Sequence, residues 1–311
     1  MDPFYNKMFV IAIGIFLGVL NYLGVKFSKI LNNLITVSKL LPLLFFIFVG
    51  IFFIKGSDFL PLIPKIELGL STGNLGVATL VIFYAFTGFD LLAVAAEDMQ
   101  NPTKNLPKAI IWVMIFCSIF YLLIMVICIG LLGPKLGTTS VPIASATAVI
   151  FGKSGFLFIT IATLVSIGGI TIALSFIAPR SIQALADSKY VPEIFNKKGR
   201  FGTAGFAILL TTAITIGLAL YGNFIFLASL TVIARLIEFI STAGSVLVFR
   251  KKKLKALYRI PLGPVVPIAA IILSIWLLTQ SSYEKIFFIM IGVAIGAILY
   301  VTYAKKQMEK Q

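Results

Sequence analysis

The residues best suited to chemistry are a few polar side chains set inside long apolar runs. One run contains Phe83-Tyr84-Ala85-Phe86-Thr87-Gly88-Phe89-Asp90, which places a glycine among bulky aromatics and a carboxylate two residues later. A helix that breaks at Gly88 would free backbone carbonyls, and such carbonyls together with half-helix ends can bind a charged solute. The alternative is that Gly88 is a close-packing residue between two helices.

Four ionisable side chains lie well inside apolar runs: Lys39, Asp90, Arg235 and Glu238. Asp90 would cost about 2.5–3.5 kcal/mol facing lipid at depth, so we expect it to face a cavity or partner, or to lie close enough to the surface to be hydrated. Lys39 is either a buried amine that can release and take up a proton or a side chain that snorkels to the interface. Arg235 and Glu238 are three residues apart on one helix face. We favour a self-neutralising pair, and the alternative is a gate or a site for substrate charge.

The segment Ser166-Ile167-Gly168-Gly169-Ile170-Thr171 offers small residues and two hydroxyls, which serve helix packing more often than binding. Enzyme signatures are lacking. The chain has no histidine, so it contains neither a Ser-His-Asp triad nor an HExxH zinc site, and it has no P-loop or GxGxxG fingerprint. Its two cysteines, Cys117 and Cys128, give no disulfide or zinc framework. We therefore expect no enzyme activity, no metal and no cofactor.

Nine apolar runs must position these residues. Hydrophobic residues make up 59% of the chain and charged residues 12%, whereas soluble domains have about 25% charged residues. About 20 apolar residues span a bilayer core, and only helices or closed barrels satisfy their backbone in lipid. We predict an all-α membrane protein, a polytopic helical bundle forming a single transmembrane domain over residues 1–311. Its nine transmembrane helices lie at about residues 8–25, 34–54, 75–96, 109–132, 156–177, 203–220, 224–249, 262–280 and 284–303. Residues 142–151 are a candidate for a further short helix on the outer surface.

The formal charge of +15 would suggest nucleic acid as a partner for a soluble protein, but here the basic residues alternate between connections. The connections between helices fall into two alternating sets, one for each side of the membrane. One set contains eighteen Lys and Arg residues in total and the other contains six. The positive-inside rule then predicts a multi-pass protein of the cell membrane with its N-terminus outside and its C-terminus in the cytoplasm. With no signal peptide and an odd helix count, this orientation suggests that an odd number of helices is missing upstream.

Four spaced segments carry a resemblance. They are Phe83–Asp90 running into E-D-M-Q-N-P-T-K-N-L-P-K-A-I at 97–110, the stretch from Ala178-Pro179-Arg180 to Phe201-Gly202-Thr203, Tyr258-Arg259-Ile260-Pro261-Leu262-Gly263-Pro264, and Asn21-Tyr22-Leu23-Gly24 with Lys26 and Asn32-Asn33. These segments resemble parts of amino-acid permeases. The first resembles the family's sixth helix with the loop that follows it, and the second resembles the loop after the eighth helix. The third resembles the entry to the eleventh helix, and the fourth resembles the connection between the fourth and fifth helices. Amino-acid permeases belong to the amino acid–polyamine–organocation (APC) superfamily.

The resemblance implies that the nine helices correspond to the family's fourth through twelfth, in a partial LeuT-type inverted-repeat (APC) fold. It also implies an N-terminally truncated chain, because the family's glycine-rich first helix has no counterpart upstream of Met8. A separately encoded N-terminal helical part is one candidate partner.

For the substrate, the resemblance implies that backbone carbonyls near Tyr84, Ala85 and Thr87, at the Gly88 break, receive an ammonium group. Phe83 or Tyr84 would be the aromatic lid over the substrate's side chain.

For coupling, the resemblance implies other roles. Asp90 matches an acidic position linked to gating or proton response. Lys39 matches a fifth-helix lysine that replaces, in proton-coupled members, the cation of sodium-coupled relatives, and Ser166 and Gly168 would face it. Arg235 and Glu238 depart from the usual apolar tenth helix, so they either tune substrate choice or merely pair.

The function so implied is secondary active transport of amino acids or related amines, proton-coupled, by alternating access. Its partners would be a small-molecule substrate, protons and membrane lipids, with no nucleic acid. The alternative is a non-transporting permease remnant or membrane scaffold that lacks the first three helices.

Overall fold

The described part of the chain is helical. A computed structural model describes residues 3–24, 29–59, 73–89, 99–254, 256, 258 and 262–304. Its α-helices are α1 (Pro3–Tyr22), α2 (Lys29–Gly50), α3 (Gly73–Ala85), α4 (Pro102–Leu132), α5 (Pro142–Asp187), α6 (Gly205–Tyr221), α7 (Phe224–Lys251), α8 (Val265–Thr279) and α9 (Tyr283–Leu299). Short 3-10 turns occur at Ile51–Phe53, Gly56–Phe59, Gly133–Thr138 and Glu193–Phe195, and a π-turn at Tyr300–Ala304. Each of these α-helices overlaps one predicted apolar run.

The helices have the length and surface of membrane spans. Six are long and apolar enough to cross a membrane, and α3, α6 and α8 are shorter apolar helices. Large apolar side chains point away from the protein: Phe9 is 67% exposed, Phe52 81% and Trp112 70%. Such a surface is stable only against lipid tails, because in water it would exceed by far the apolar patches that soluble monomers expose. The chain is a multi-pass, all-α membrane protein.

Two helices differ most from the apolar runs that predict them. Helix α3 ends at Ala85, well before the end of the run at 75–96. Helix α5 is much longer than the run at 156–177 and is interrupted once, at Gly152, whose backbone has φ 61° and ψ −147°. The predicted short helix at 142–151 is the part before this interruption. Residues 153–187 then form a helix about 52 Å long at 1.5 Å per residue, longer than a bilayer core.

The chain divides into two compact units, and the first comprises Met1–Lys65, Phe120–Tyr221 and Ile298–Gln311. Within it α2 packs against α5, and α1 packs against α6. Its buried core consists of aliphatic and aromatic side chains with one thiol: Phe46, Ile47, Phe120, Ile127, Cys128, Ala144, Ala146 and Ile159. This core aligns α2 with α5.

The second unit comprises Ile66–Ile119 and Gly222–Ala297. Here α7 packs against α8 and α3. Four fully or almost fully buried side chains form its core: Leu80, Val232, Leu236 and Leu277. Leu80 lies five residues before the end of α3, so this core holds the end of α3 against α7.

Candidate functional site

The end of α3 is a break in an apolar helix. After Ala85, residues 86–89 form a turn in which the Phe86 N–H donates to the Phe83 carbonyl (3.0 Å) and the Thr87 N–H donates to the Tyr84 carbonyl (3.1 Å). Gly88 follows with φ +106°, a conformation that L-residues rarely adopt. A Cβ placed on Gly88 would meet no atom of the described structure within 4 Å. Among the described residues Gly88 therefore serves the backbone turn, and none of them packs closely against it.

The turn determines which oxygen atoms can accept further hydrogen bonds. The Thr87 hydroxyl also donates to the Tyr84 carbonyl, at 2.7 Å. The Tyr84 carbonyl thus accepts two hydrogen bonds from Thr87, which matches its two lone pairs. Because the Thr87 hydroxyl hydrogen is used in this way, its oxygen presents lone pairs only. An ammonium group, which is a donor without acceptors, is complementary to such an oxygen.

Aromatic side chains on both sides of the break pack against α7. The ring of Phe83 lies 6.2 Å from that of Phe239, and Phe89 stacks on the same ring at 5.7 Å. The Tyr84 ring makes an edge contact with Phe224 at 5.8 Å. Both candidate lid residues are thus half-buried and held by rings of α7. Sequence reasoning missed Phe224 and Phe239, since uniformly apolar helices give no sign of which rings will meet.

Arg235 and Glu238 form the ion pair that their spacing predicts. The Arg235 Nη1 lies 2.7 Å from the Glu238 Oε2, and the two side chains are 30% and 53% exposed. Arg235 lies one turn before Phe239 and one residue before the fully buried Leu236. The pair therefore lies beside the part of α7 that contacts Phe83. Two opposite charges in contact lower the cost of placing either of them in a membrane.

Lys39 lies on the side of α2 that faces α5. Ile35, one turn before it, packs over Gly169, and Pro42, three residues after it, is buried. Further along, Leu41 and Pro42 share a groove of about 350 Å³ with Phe158, Ile161 and Ala162 of α5. Lys39 itself is half-buried.

The same contacts place Ser166 at the level of Lys39. The two helices run antiparallel, because Ile35 meets Gly169 whereas Phe45 stacks on Phe151 at 5.7 Å. Ser166 lies between Ala162 and Gly169 on the α2-facing side of α5, as Lys39 lies between Ile35 and Pro42. Lys39 and Ser166 thus lie at the same height along the interface between α2 and α5. The described structure shows no hydrogen bond between these two side chains.

The remaining candidates are placed differently. Gly168 is exposed, and a Cβ there would meet nothing within 4 Å. Its neighbour Gly169 is the residue that permits close approach of α2. Asp90 lies outside the described residues. Within the residues that the structure describes, no group of three or more Cys, Asp or Glu side chains could hold a metal ion.

Comparison with known proteins gives a consistent result. A family model described as amino acid permease matches residues 2–298. The methylthioribose transporter of Bacillus subtilis (strain 168) is 29% identical over 286 residues, which are 91% of this chain and 61% of that protein. The branched-chain amino acid permease of the same organism is 28% identical over 92% of this chain and 61% of its own length. Its serine/threonine exchanger is 28% identical over 97% of this chain and 70% of its own length. The chain spans about three fifths of the length of the first two relatives.

Proposed function

Because this chain belongs to the amino acid permease family, we propose that it acts in secondary active transport of amino acids or related amines across the cell membrane. The observation that carries the proposal is the break at the end of α3. The helix ends at Ala85 within an apolar run that would otherwise continue as a helix, and the backbone turns at Gly88. Interrupted helices of this kind form the binding sites of many secondary transporters. The similar proteins are named for different solutes, which supports the class of function and leaves the substrate open within it.

In the proposed site, the ammonium group of the substrate binds at the α3 break. The Thr87 hydroxyl oxygen is the first acceptor, because the lone pairs of the Tyr84 carbonyl are already used. Ala85, the last helical residue, contributes a backbone carbonyl from a helix C-terminus, where the helix dipole favours positive charge. Gly88 allows the turn that exposes these oxygens.

The substrate's side chain would lie against the aromatic side chains next to the break. Phe83 is the better lid, because its ring shares Phe239 with Phe89 and so belongs to a three-ring cluster. Tyr84 would border the opposite end, toward Phe224. Arg235 would tune substrate choice by attracting a carboxylate when Glu238 releases it.

For energy coupling we propose a proton carried by Lys39. The amine lies at the level of Ser166, whose hydroxyl can accept a hydrogen bond from the charged form or donate one to the neutral form. Loading and release of this proton would bias the outward- and inward-open states of an alternating-access cycle. Asp90 remains a second candidate for the proton response.

Uptake into proteoliposomes tests the proposal. The chain would be expressed from its complete reading frame, reconstituted, and supplied with labelled amino acids and amines under an inward proton gradient. Uptake that exceeds that of empty vesicles and falls when an ionophore dissipates the gradient is the expected result. A folded protein that shows neither net uptake nor exchange for any solute of this class would favour the non-transporting scaffold instead.

A further inference from the structure

A groove runs along the lipid-facing side of α1 and α6 in the first unit. It has a volume of about 530 Å³. Gly18 of α1, against which Thr212 packs, and Gly205 of α6, against which Tyr22 packs, are among its lining residues. The other lining residues include exposed apolar side chains: Ile15 is 54% exposed, Val19 49% and Leu209 68%. From Ile15 to Tyr22 the groove follows α1 for about 10 Å at 1.5 Å per residue. A groove of this length with exposed apolar side chains fits part of an extended hydrocarbon chain.

A rigid turn closes the groove at Tyr22. The Thr203 hydroxyl donates to the Tyr22 carbonyl at 2.8 Å, and the ring of Tyr22 makes an edge contact with Phe201 at 5.5 Å. The turn is closed by the Gly199 N–H, which donates to the Thr203 carbonyl at 2.8 Å, and it requires a φ of +72° at Gly202. Tyrosine and other amphipathic aromatics mark the membrane–water boundary. The turn therefore holds its side chains at the depth of lipid head groups.

Two basic side chains of this turn have no partner in the part of the chain that the structure describes. Lys198 and Arg200 are exposed, and within the described residues neither makes a hydrogen bond or an ion pair. The nearby acid Asp187 accepts a hydrogen bond from the Asn196 amide, so it is engaged elsewhere. Arg235 differs from Lys198 and Arg200 in this respect, because its guanidinium contacts the Glu238 carboxylate.

We propose that this groove and turn bind one anionic glycerophospholipid. An acyl chain would lie along Ile15, Val19 and Leu209, and the phosphate would accept hydrogen bonds from Arg200 and Lys198. Arginine binds phosphate oxygens through two parallel N–H donors, and lysine adds a point charge. A lipid with net negative charge is favoured over a zwitterionic one, because its head group brings no ammonium of its own to compete for the phosphate.

Native mass spectrometry of the detergent-purified chain would test this by comparing retention of added phosphatidylglycerol and phosphatidylcholine. The test variant is Lys198→Gln with Arg200→Gln. The matched control is Lys251→Gln with Lys252→Gln, which removes the same charge from two exposed lysines at the end of α7. At about 1 kcal/mol per basic residue, the test variant should lose about 30-fold of its preference for phosphatidylglycerol, and the control should keep it.

A second variant, Val19→Trp, fills the groove without touching the charges. It should reduce retention of phosphatidylglycerol as well, because the acyl chain loses its place. Three results would overturn the proposal: equal retention of both lipids by the unaltered chain, equal losses in the test variant and its control, or displacement of the lipid by glycerol phosphate alone. The last result would identify a site for free phosphate compounds instead.

Discussion

The hydroxyl of Thr87 determines which oxygen atoms at the α3 break can accept a hydrogen bond from the substrate. It donates to the Tyr84 carbonyl and so leaves its own lone pairs exposed. Thr87→Val keeps the shape but removes this acceptor. A lost hydrogen bond to a charged group costs about 1.5–3 kcal/mol, so we expect KM for uptake to rise about tenfold or more.

The control for this change is Thr231→Val on α7. Its hydroxyl makes the same kind of bond to a backbone carbonyl, that of Leu227 at 3.0 Å, and is exposed. Its KM should stay unchanged. An unaltered KM in Thr87→Val would show that the substrate's amine binds elsewhere.

Lys39 is the residue through which a proton would be coupled to transport. Lys39→Gln keeps a polar side chain of similar length but removes the titratable amine. Stimulation of uptake by an inward proton gradient should disappear, while exchange of labelled for unlabelled substrate without a gradient should persist. Lys135→Gln, which alters an exposed lysine of a 3-10 turn, should keep both activities. Gradient-stimulated uptake at the original level in Lys39→Gln would exclude this lysine as the proton carrier.

Among the described elements, α9 contains no buried residue. Its polar contact to α7 is made by the Lys285 ammonium, which donates to the buried Ser229 hydroxyl at 3.2 Å, and Phe288 adds an edge contact to Phe226. The Lys285–Ser229 hydrogen bond and the Phe226–Phe288 ring pair therefore help to attach the beginning of α9 to α7.

Lys285→Met should loosen this turn. Losing a hydrogen bond worth about 1 kcal/mol should speed amide hydrogen exchange over residues 283–290 about fivefold, as read by mass spectrometry. Lys153→Met removes an exposed lysine elsewhere and should leave exchange in these residues unchanged. Equal exchange in Lys285→Met and the unaltered protein would show that the hydrogen bond from Lys285 to Ser229 does not hold this turn.

The helices show how far a sequence determines such a fold. Long apolar runs predict helices because lipid leaves the backbone no other partners, and each described α-helix overlaps one run. The point where α3 stops is less visible. Gly88 marks the break in the sequence, but the end at Ala85 and the packing of Leu80 in the core with α7 are seen only in the structure.

The candidate site was accessible to sequence reasoning only in part. Ionisable residues deep in apolar runs are few, so Lys39 and the Arg235–Glu238 pair stand out by composition alone. Thr87 entered only through the family resemblance, and there for its backbone carbonyl. The contacts of Phe83 with Phe239 and of Tyr84 with Phe224 depend on how helices are rotated against one another. Since the helices are apolar on nearly all sides, hydrophobic periodicity leaves that rotation undetermined.

For the whole molecule, the alternation of basic residues predicts its orientation. Ser140 and Ser188 are exposed and lie in connections assigned to opposite sides. In a background with Cys117→Ala and Cys128→Ala, Ser140→Cys should react with a membrane-impermeant maleimide added to intact cells. Ser188→Cys should react only after permeabilisation. The reverse pattern would invert the proposed topology.

The proposal as a whole depends on the α3 break as the place where substrate binds. The most direct measurement compares uptake of labelled amino acids by the unaltered protein, Gly88→Ala and Gly217→Ala, each from the complete reading frame and at equal amounts of folded protein. Gly217 lies within α6 with open space around it, so alanine is tolerated there. At Gly88 the φ of +106° is strained for alanine by about 1–3 kcal/mol.

We predict uptake by the unaltered protein and by Gly217→Ala, with a loss of about tenfold or more in Gly88→Ala. Equal uptake by all three proteins would contradict a role for the break in substrate binding.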